Sequence, residues 1–131
     1  MTYVLVMIGG GAGALLRYVS MQCADAFIKT PFALGTLLVN CVGALLAGFL
    51  INFFNAFDID AKWRWLVMTG FLGGYTTFSA YSLETARYFM DGNLKYALAN
   101  IALNNVLCLL LVLAGMWLNK VIFGTVSPTG V

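Results

Sequence analysis

Histidine is absent from the 131 residues, and only five acids occur: Asp25, Asp58, Asp60, Glu84 and Asp91, all near the edges of apolar runs. Without imidazole or converging carboxylates, acid–base hydrolysis and a carboxylate metal cage have almost no raw material, which argues against an enzyme. Basic residues are also scarce. Seven Lys and Arg leave a formal charge of +2, spread in ones and twos, and no run tracks a phosphate backbone, so nucleic acid is not an expected partner. Three cysteines, Cys23, Cys41 and Cys108, are odd in number and lack a CxxC spacing. Two of them lie inside apolar stretches, where Cys behaves as a small hydrophobe, so neither a disulfide framework nor a zinc site is expected. What is abundant is hydrocarbon: 62% of residues are apolar and 9% charged, against roughly 25% charged in a soluble domain.

A bilayer core of about 30 Å takes roughly 20 helical residues to cross. Four stretches qualify, over residues 4–23, 34–57, 65–89 and 94–123, forming one all-α transmembrane domain over residues 1–131. The connections carry turn chemistry at Lys29-Thr30-Pro31, Asp58 to Lys62, and Met90-Asp91-Gly92-Asn93. The N-terminal span has no basic leader or cleavage site and is expected to be retained. The tail from Gly124, with Ser127-Pro128-Thr129-Gly130, is expected to fray.

Four spans leave Lys62, Arg64 and Lys120 on one side and Arg17, Lys29, Arg87 and Lys95 on the other. Cytoplasmic loops normally carry an excess of Lys and Arg, and so close a count gives insertion little to decide on. Either a few loop residues fix one orientation, or the chain inserts both ways and can form an antiparallel dimer about an axis in the membrane plane. Small-residue steps at Gly9/Gly13, Ala44/Gly48 and Gly70/Gly74 suit close helix packing.

Polar residues inside apolar spans are costly and mark either helix-helix bonds or function. Asn40 lies mid-span with Thr36 one turn before it on the same face. The stretch from Thr69 to Glu84 is the richest: adjacent Gly73 and Gly74 followed by Thr76 and Thr77 weaken a helix, and a break at mid-membrane is tolerated only if it is buried or lines a cavity. Free carbonyls at such a break, over Gly73 to Thr77 and without a carboxylate, suit a monovalent cation such as Na⁺. Beyond it, Phe78 and Tyr81 share one face, and Ser79 and Ser82 a neighbouring one. Ring edges and hydroxyls can touch a small anion, or the rings can simply pack and the serines bond backward. Asn100, Asn104 and Asn105 form a polar track continued by Cys108, open to either anion contact or interhelical bonding. Arg17 either snorkels or draws anions to a pore mouth.

Three segments together, Gly9-Gly10-Gly11-Ala12-Gly13-Ala14-Leu15-Leu16-Arg17-Tyr18, Gly35-Thr36-Leu37-Leu38-Val39-Asn40-Cys41-Val42-Gly43 and Thr69 through Ser79 with Ser82 and Glu84, closely resemble the Fluc (CrcB-type) family of fluoride channels. The resemblance runs over nearly the whole chain in the right order, and the third segment is the specific one. It implies a dual-topology antiparallel homodimer of four-helix subunits in the cell inner membrane, its third helix broken, with two fluoride pathways, a central structural Na⁺ and passive fluoride export. It also implies site roles: Na⁺ carbonyls on Gly73 and Thr76, a pore asparagine at Asn40, a vestibule arginine at Arg17, a pore serine at Ser79, and the first pore ring at Phe78. The second ring of the family's pair is phenylalanine and aligns with Tyr81 here, adding a hydroxyll beside the path. Ser82 and Asn104 complete the expected lining.

Such a path fits fluoride, a small and tightly hydrated anion that needs several weak donors to replace water and still leave. An inside-negative potential adds about 2.3 kcal/mol of outward drive per 100 mV. The rival is a small proton-coupled multidrug exporter, also a four-helix dual-topology dimer. It would need a deep titratable carboxylate; the first span has none, and for Glu84, the one intramembrane candidate, toward the end of the third, a structural pair with Arg17 on the same side is an alternative explanation. A non-transporting assembly subunit is a second rival and leaves the polar neighbours of the break unexplained.

Overall fold

The computed structural model describes residues 1–124, and its elements are all helical; the fraying expected of the tail lies largely outside those residues. Helix α1 spans Thr2–Phe27 and α2 spans Leu34–Ala56. A third rod, α3, covers residues 61–75: a turn at Ala61–Arg64, a π-helical stretch Trp65–Leu72 and a last turn Gly73–Tyr75. Helix α4 is Phe78–Met90. Helix α5 covers residues 94–123 as Leu94–Ala102, a π-helical turn Leu103–Leu107, and Cys108–Phe123. Three of these, α1, α2 and α5, are long and apolar enough to cross a bilayer by themselves. Neither α3 nor α4 is, because the chain between them is not helical. Helix α1 runs past the expected 4–23 at both ends, since Asp25 and its neighbours end the apolar run without ending the helix.

Backbone contact organises the packing. A Cβ on Gly9 or Gly13 would overlap the carbonyl oxygens of Leu66 and Phe71, and one on Gly74 would overlap that of Gly10, so α1 and α3 lie backbone to backbone. A second seam joins α2 to α5, where a Cβ on Gly48 would overlap the Val112 carbonyl and one on Gly115 that of Leu45. Without water to drive apolar faces together, close approach of this kind maximises dispersion contact between helices. Gly115 belongs to no small-residue step, because its partner step is on another helix.

The ends are tied by side chains. The Tyr88 hydroxyl accepts from the Ala33 N–H (2.7 Å) and donates to the Pro31 carbonyl (3.1 Å), pinning the first connection to α4. Asp60 caps α3 by accepting the Lys62 N–H at 2.9 Å and pairs with its ammonium at 3.0 Å; that N–H first, and then the ammonium, hold the Asp60 carboxyl below the usual carboxylate range.

Candidate functional site

The site grows from two residues. Thr76 (φ −78°, ψ 158°) and Thr77 (φ −148°, ψ 109°) take extended backbone between α3 and α4. The glycine pair just before them stays helical: Gly74 is occupied in packing on Gly10, and the interruption falls on the β-branched residues instead. Thr76 still closes on α3 through its N–H and its hydroxyl, both donating to the Leu72 carbonyl at 3.0 Å. Thr77 begins α4, its hydroxyl oxygen accepting the Ala80 N–H at 3.2 Å as an N-cap.

Asn40 holds the interruption open. Its Oδ1 accepts the Thr77 N–H at 2.8 Å and its Nδ2 donates to the Thr77 carbonyl at 3.1 Å, so one side-chain amide serves both polar groups of one residue. In an unbroken helix the Thr77 N–H would close on the Gly73 carbonyl; Asn40 takes that donor away. The second Nδ2 hydrogen goes to Asn104 Oδ1 at 2.9 Å. Asn104 in turn donates to Asn100 Oδ1 (2.9 Å), and fully buried Asn100 donates to the Thr85 hydroxyl (2.9 Å). This amide chain links α2, α5 and α4 and fixes the orientation of each member.

An open groove of about 430 Å³ runs beside it. Of the residues expected to form the site, Asn40, Gly73, Thr76, Phe78, Tyr81 and Asn104 line it together. Phe78 and Tyr81 meet edge to face at 5.3 Å and 61°, with Phe78 76% exposed. Asn105 Nδ2 donates to the Tyr81 hydroxyl oxygen at 3.1 Å, which leaves that hydroxyl's own hydrogen uncommitted. Three residues lie off the groove lining. Ser79 is exposed with its Oγ 3.3 Å from Thr77 Oγ1, Ser82 donates back to the Phe78 carbonyl at 2.9 Å, and Arg17 Nη1 donates to the Thr76 carbonyl at 3.3 Å. The alternative Glu84–Arg17 pair does not form: Glu84 Oε1 accepts the Thr36 hydroxyl, and Arg17 is drawn to the carbonyl left bare where the helix ends.

Gly73 and Thr76 fit a monovalent cation in donor chemistry. Both line the groove and Gly73 has lost its in-helix donor to Asn40, whereas the Thr76 carbonyl accepts from the Arg17 guanidinium, which would have to withdraw for a cation to bind that oxygen. Among the described residues no group of three or more His, Cys, Asp or Glu gathers into a metal site. Thr77, which closes the stretch expected to hold an ion, also lines the groove, as do Asn105 and Cys108 of the polar track. The stripe 100, 104, 108 was a signal for the last; the π-helical turn that turns Asn104 and its neighbour Asn105 to different partners leaves no mark in spacing.

Comparison with known proteins adds an independent line. The family model described as "CrcB-like protein, Camphor Resistance (CrcB)" matches residues 4–116. A "Fluoride-specific ion channel FluC" of Sulfurihydrogenibium sp. (strain YO3AOP1) is 40% identical over 121 residues, covering 92% of this chain and 98% of that protein. A protein of the same name from Koribacter versatilis is 41% identical over 85% of this chain and 89% of its own length. "Fluoride-specific ion channel FluC 2" of Nitrobacter hamburgensis is 47% identical over 79% and 87%.

Proposed function

The chain belongs to the CrcB-like family, a family of multi-pass membrane proteins, and from that premise we propose that it is a fluoride-selective ion channel that lets fluoride leave the cytoplasm passively across the cell inner membrane. One observation carries the reading at the level of residues: Asn40 holds Thr77 out of the helix beside a groove edged by Phe78 and Tyr81. That arrangement sets weak donors and positive ring edges along one face with no Lys or Arg side chain in the lining, which suits an anion that must enter and leave.

The working unit is an antiparallel homodimer of chains inserted in both orientations, the helix interruption lying at mid-membrane in each. The near balance of three against four basic residues supports the dual insertion. In that dimer the carbonyls of Gly73 and Thr76 would hold a structural Na⁺, which supplies a positive charge at the centre. Arg17, beside Thr76, contributes positive potential at the vestibule. Along the path Asn40, Phe78, Ser79, Tyr81, Ser82 and Asn104 replace water around fluoride in turn. For Ser82 this requires its hydroxyl to leave the Phe78 carbonyl, for Asn104 its amide to exchange a partner, and for Asn40 one of its two N–H donors to leave the Thr77 carbonyl or Asn104.

Proteoliposomes loaded with fluoride or chloride test the function. Fluoride is expected to leave much faster than chloride once potassium permeability is provided, with no proton gradient imposed. Equal rates would overturn the channel reading, and strict dependence on a proton gradient would favour the coupled exporter. Tyr81→Phe tests the one departure from the family's ring pair. The O–H held by Asn105 would donate to an anion, a bond of about 1.5–3 kcal/mol, so its loss should slow fluoride by roughly ten- to a hundredfold; an unchanged rate would mean that the hydroxyl points away from the ion.

A further inference from the structure

Two thiols on different helices meet beside the groove. Cys41 Sγ on α2 and Cys108 Sγ on α5 are 3.9 Å apart, neither is in a disulfide, and Cys108 belongs to the groove lining. The helices that carry them cannot drift: the seam on which Gly48 and Gly115 press directly against backbone lies immediately beyond the pair. Asn40 and Asn104, chain neighbours of the pair at one residue and one turn, are themselves joined at 2.9 Å. The two sulfurs are therefore held in register from both ends and are partly accessible.

We propose that Cys41 and Cys108 form a two-thiolate binding site for a soft, linearly coordinating divalent metal ion, of which Hg(II) is the type. Thiolate sulfur selects soft metals. Metal–thiolate bonds of about 2.3 Å each ask for a sulfur separation of about 4.6 Å, which the pair reaches from 3.9 Å by small side-chain rotations. Zinc is a poor occupant because it requires four ligands, and no third His, Cys, Asp or Glu joins the pair among the described residues. Charge decides the rest. As the two S–M bonds form, both thiols release their protons, and a divalent ion with two thiolates gives a neutral product. A monovalent ion with two thiolates would leave a net negative charge within the membrane-spanning helices, with no Lys or Arg in the groove lining to offset it, which is costly. The bound metal would bridge α2 to α5 at the groove wall. None of this depends on which ion the groove conducts.

The test uses the reduced full-length protein in detergent with Cys23→Ser, which removes the exposed third thiol. Native mass spectrometry after Hg(II) addition should show one metal per chain, with both remaining thiols lost to maleimide labelling together. Cys41→Ser and Cys108→Ser in the same background keep one sulfur each and should surrender the metal to at least about tenfold less monothiol competitor, because the second bond within one site acts at high effective concentration. Two metals per chain, no uptake, or equal resistance to the competitor in all three proteins would overturn the proposal. Circular dichroism confirms that each variant is folded before titration, and since no flux is measured, failure here leaves the fluoride reading untouched.

Discussion

Asn40→Asp is expected to abolish fluoride flux while keeping nearly the same side-chain shape. The wild-type amide accepts from the Thr77 N–H and donates to the Thr77 carbonyl and to Asn104 Oδ1. A carboxylate retains the first contact and turns the other two into oxygen facing oxygen. It also sets a negative charge on the groove wall. At about 4 Å and an effective dielectric near 20, repulsion between two unit charges is on the order of 4 kcal/mol, which corresponds to roughly a thousandfold in rate. A fluoride electrode reading efflux from proteoliposomes measures this directly, with Asn40→Ala as the companion variant. Alanine removes all three bonds and adds no charge, so it should lower thermal stability in detergent, yet leave more flux than aspartate does. Efflux at the parent rate from a folded Asn40→Asp protein would remove Asn40 from the anion path.

Gly13→Ala should cost more stability than any other single methyl group added to α1 apart from Gly9→Ala. The new carbon would overlap the Phe71 carbonyl oxygen and come within 2.9 Å of the Tyr75 N–H nitrogen. Both are backbone, so no rotamer can relieve the clash and α1 must retreat from α3. Overpacking of this kind costs about 1–3 kcal/mol and occasionally more. Because Tyr75 adjoins Thr76, retreat also disturbs the carbonyl that Arg17 holds, and flux should fall with stability. Gly11→Ala is the control: its added carbon meets nothing within 4 Å, so its flux should match the parent and its melting temperature should stay level or rise, since alanine suits a helix interior better than glycine. A Gly13→Ala protein as stable as the control would show that α1 does not seat on α3 as described.

Much of this protein is legible without coordinates because much of it is local. Hydropathy belongs to a stretch of chain and needs no partner, so α1, α2 and α5 follow from apolar runs of sufficient length. The residues that gather at the groove carry their own signal, since polar groups in apolar spans are costly enough to stand out. Six of those expected at the site, including Asn40, Phe78 and Tyr81, share one lining. Ser79, Ser82 and Arg17 lie off it, because a helical period tells which residues share a face and not what that face meets.

Partnership is what only the tertiary structure decided. Glycines beside threonines mark a weak helix, but the weakness falls on Thr76 and Thr77, not on Gly73 and Gly74, because α1 already claims Gly74 and α2 brings Asn40 to the Thr77 backbone. Arg17 meets a carbonyl and Glu84 a threonine, where opposite charges on one side of the chain had suggested each other. Cys41 and Cys108, separated by 67 positions, touch only because two glycines on α2 and α5 let those helices press together. The amino-acid order by itself set how many residues prefer hydrocarbon and which polar groups must find partners there. Which partner each one found depends on the approach of backbones far apart in the chain, a geometric quantity that no local pattern contains.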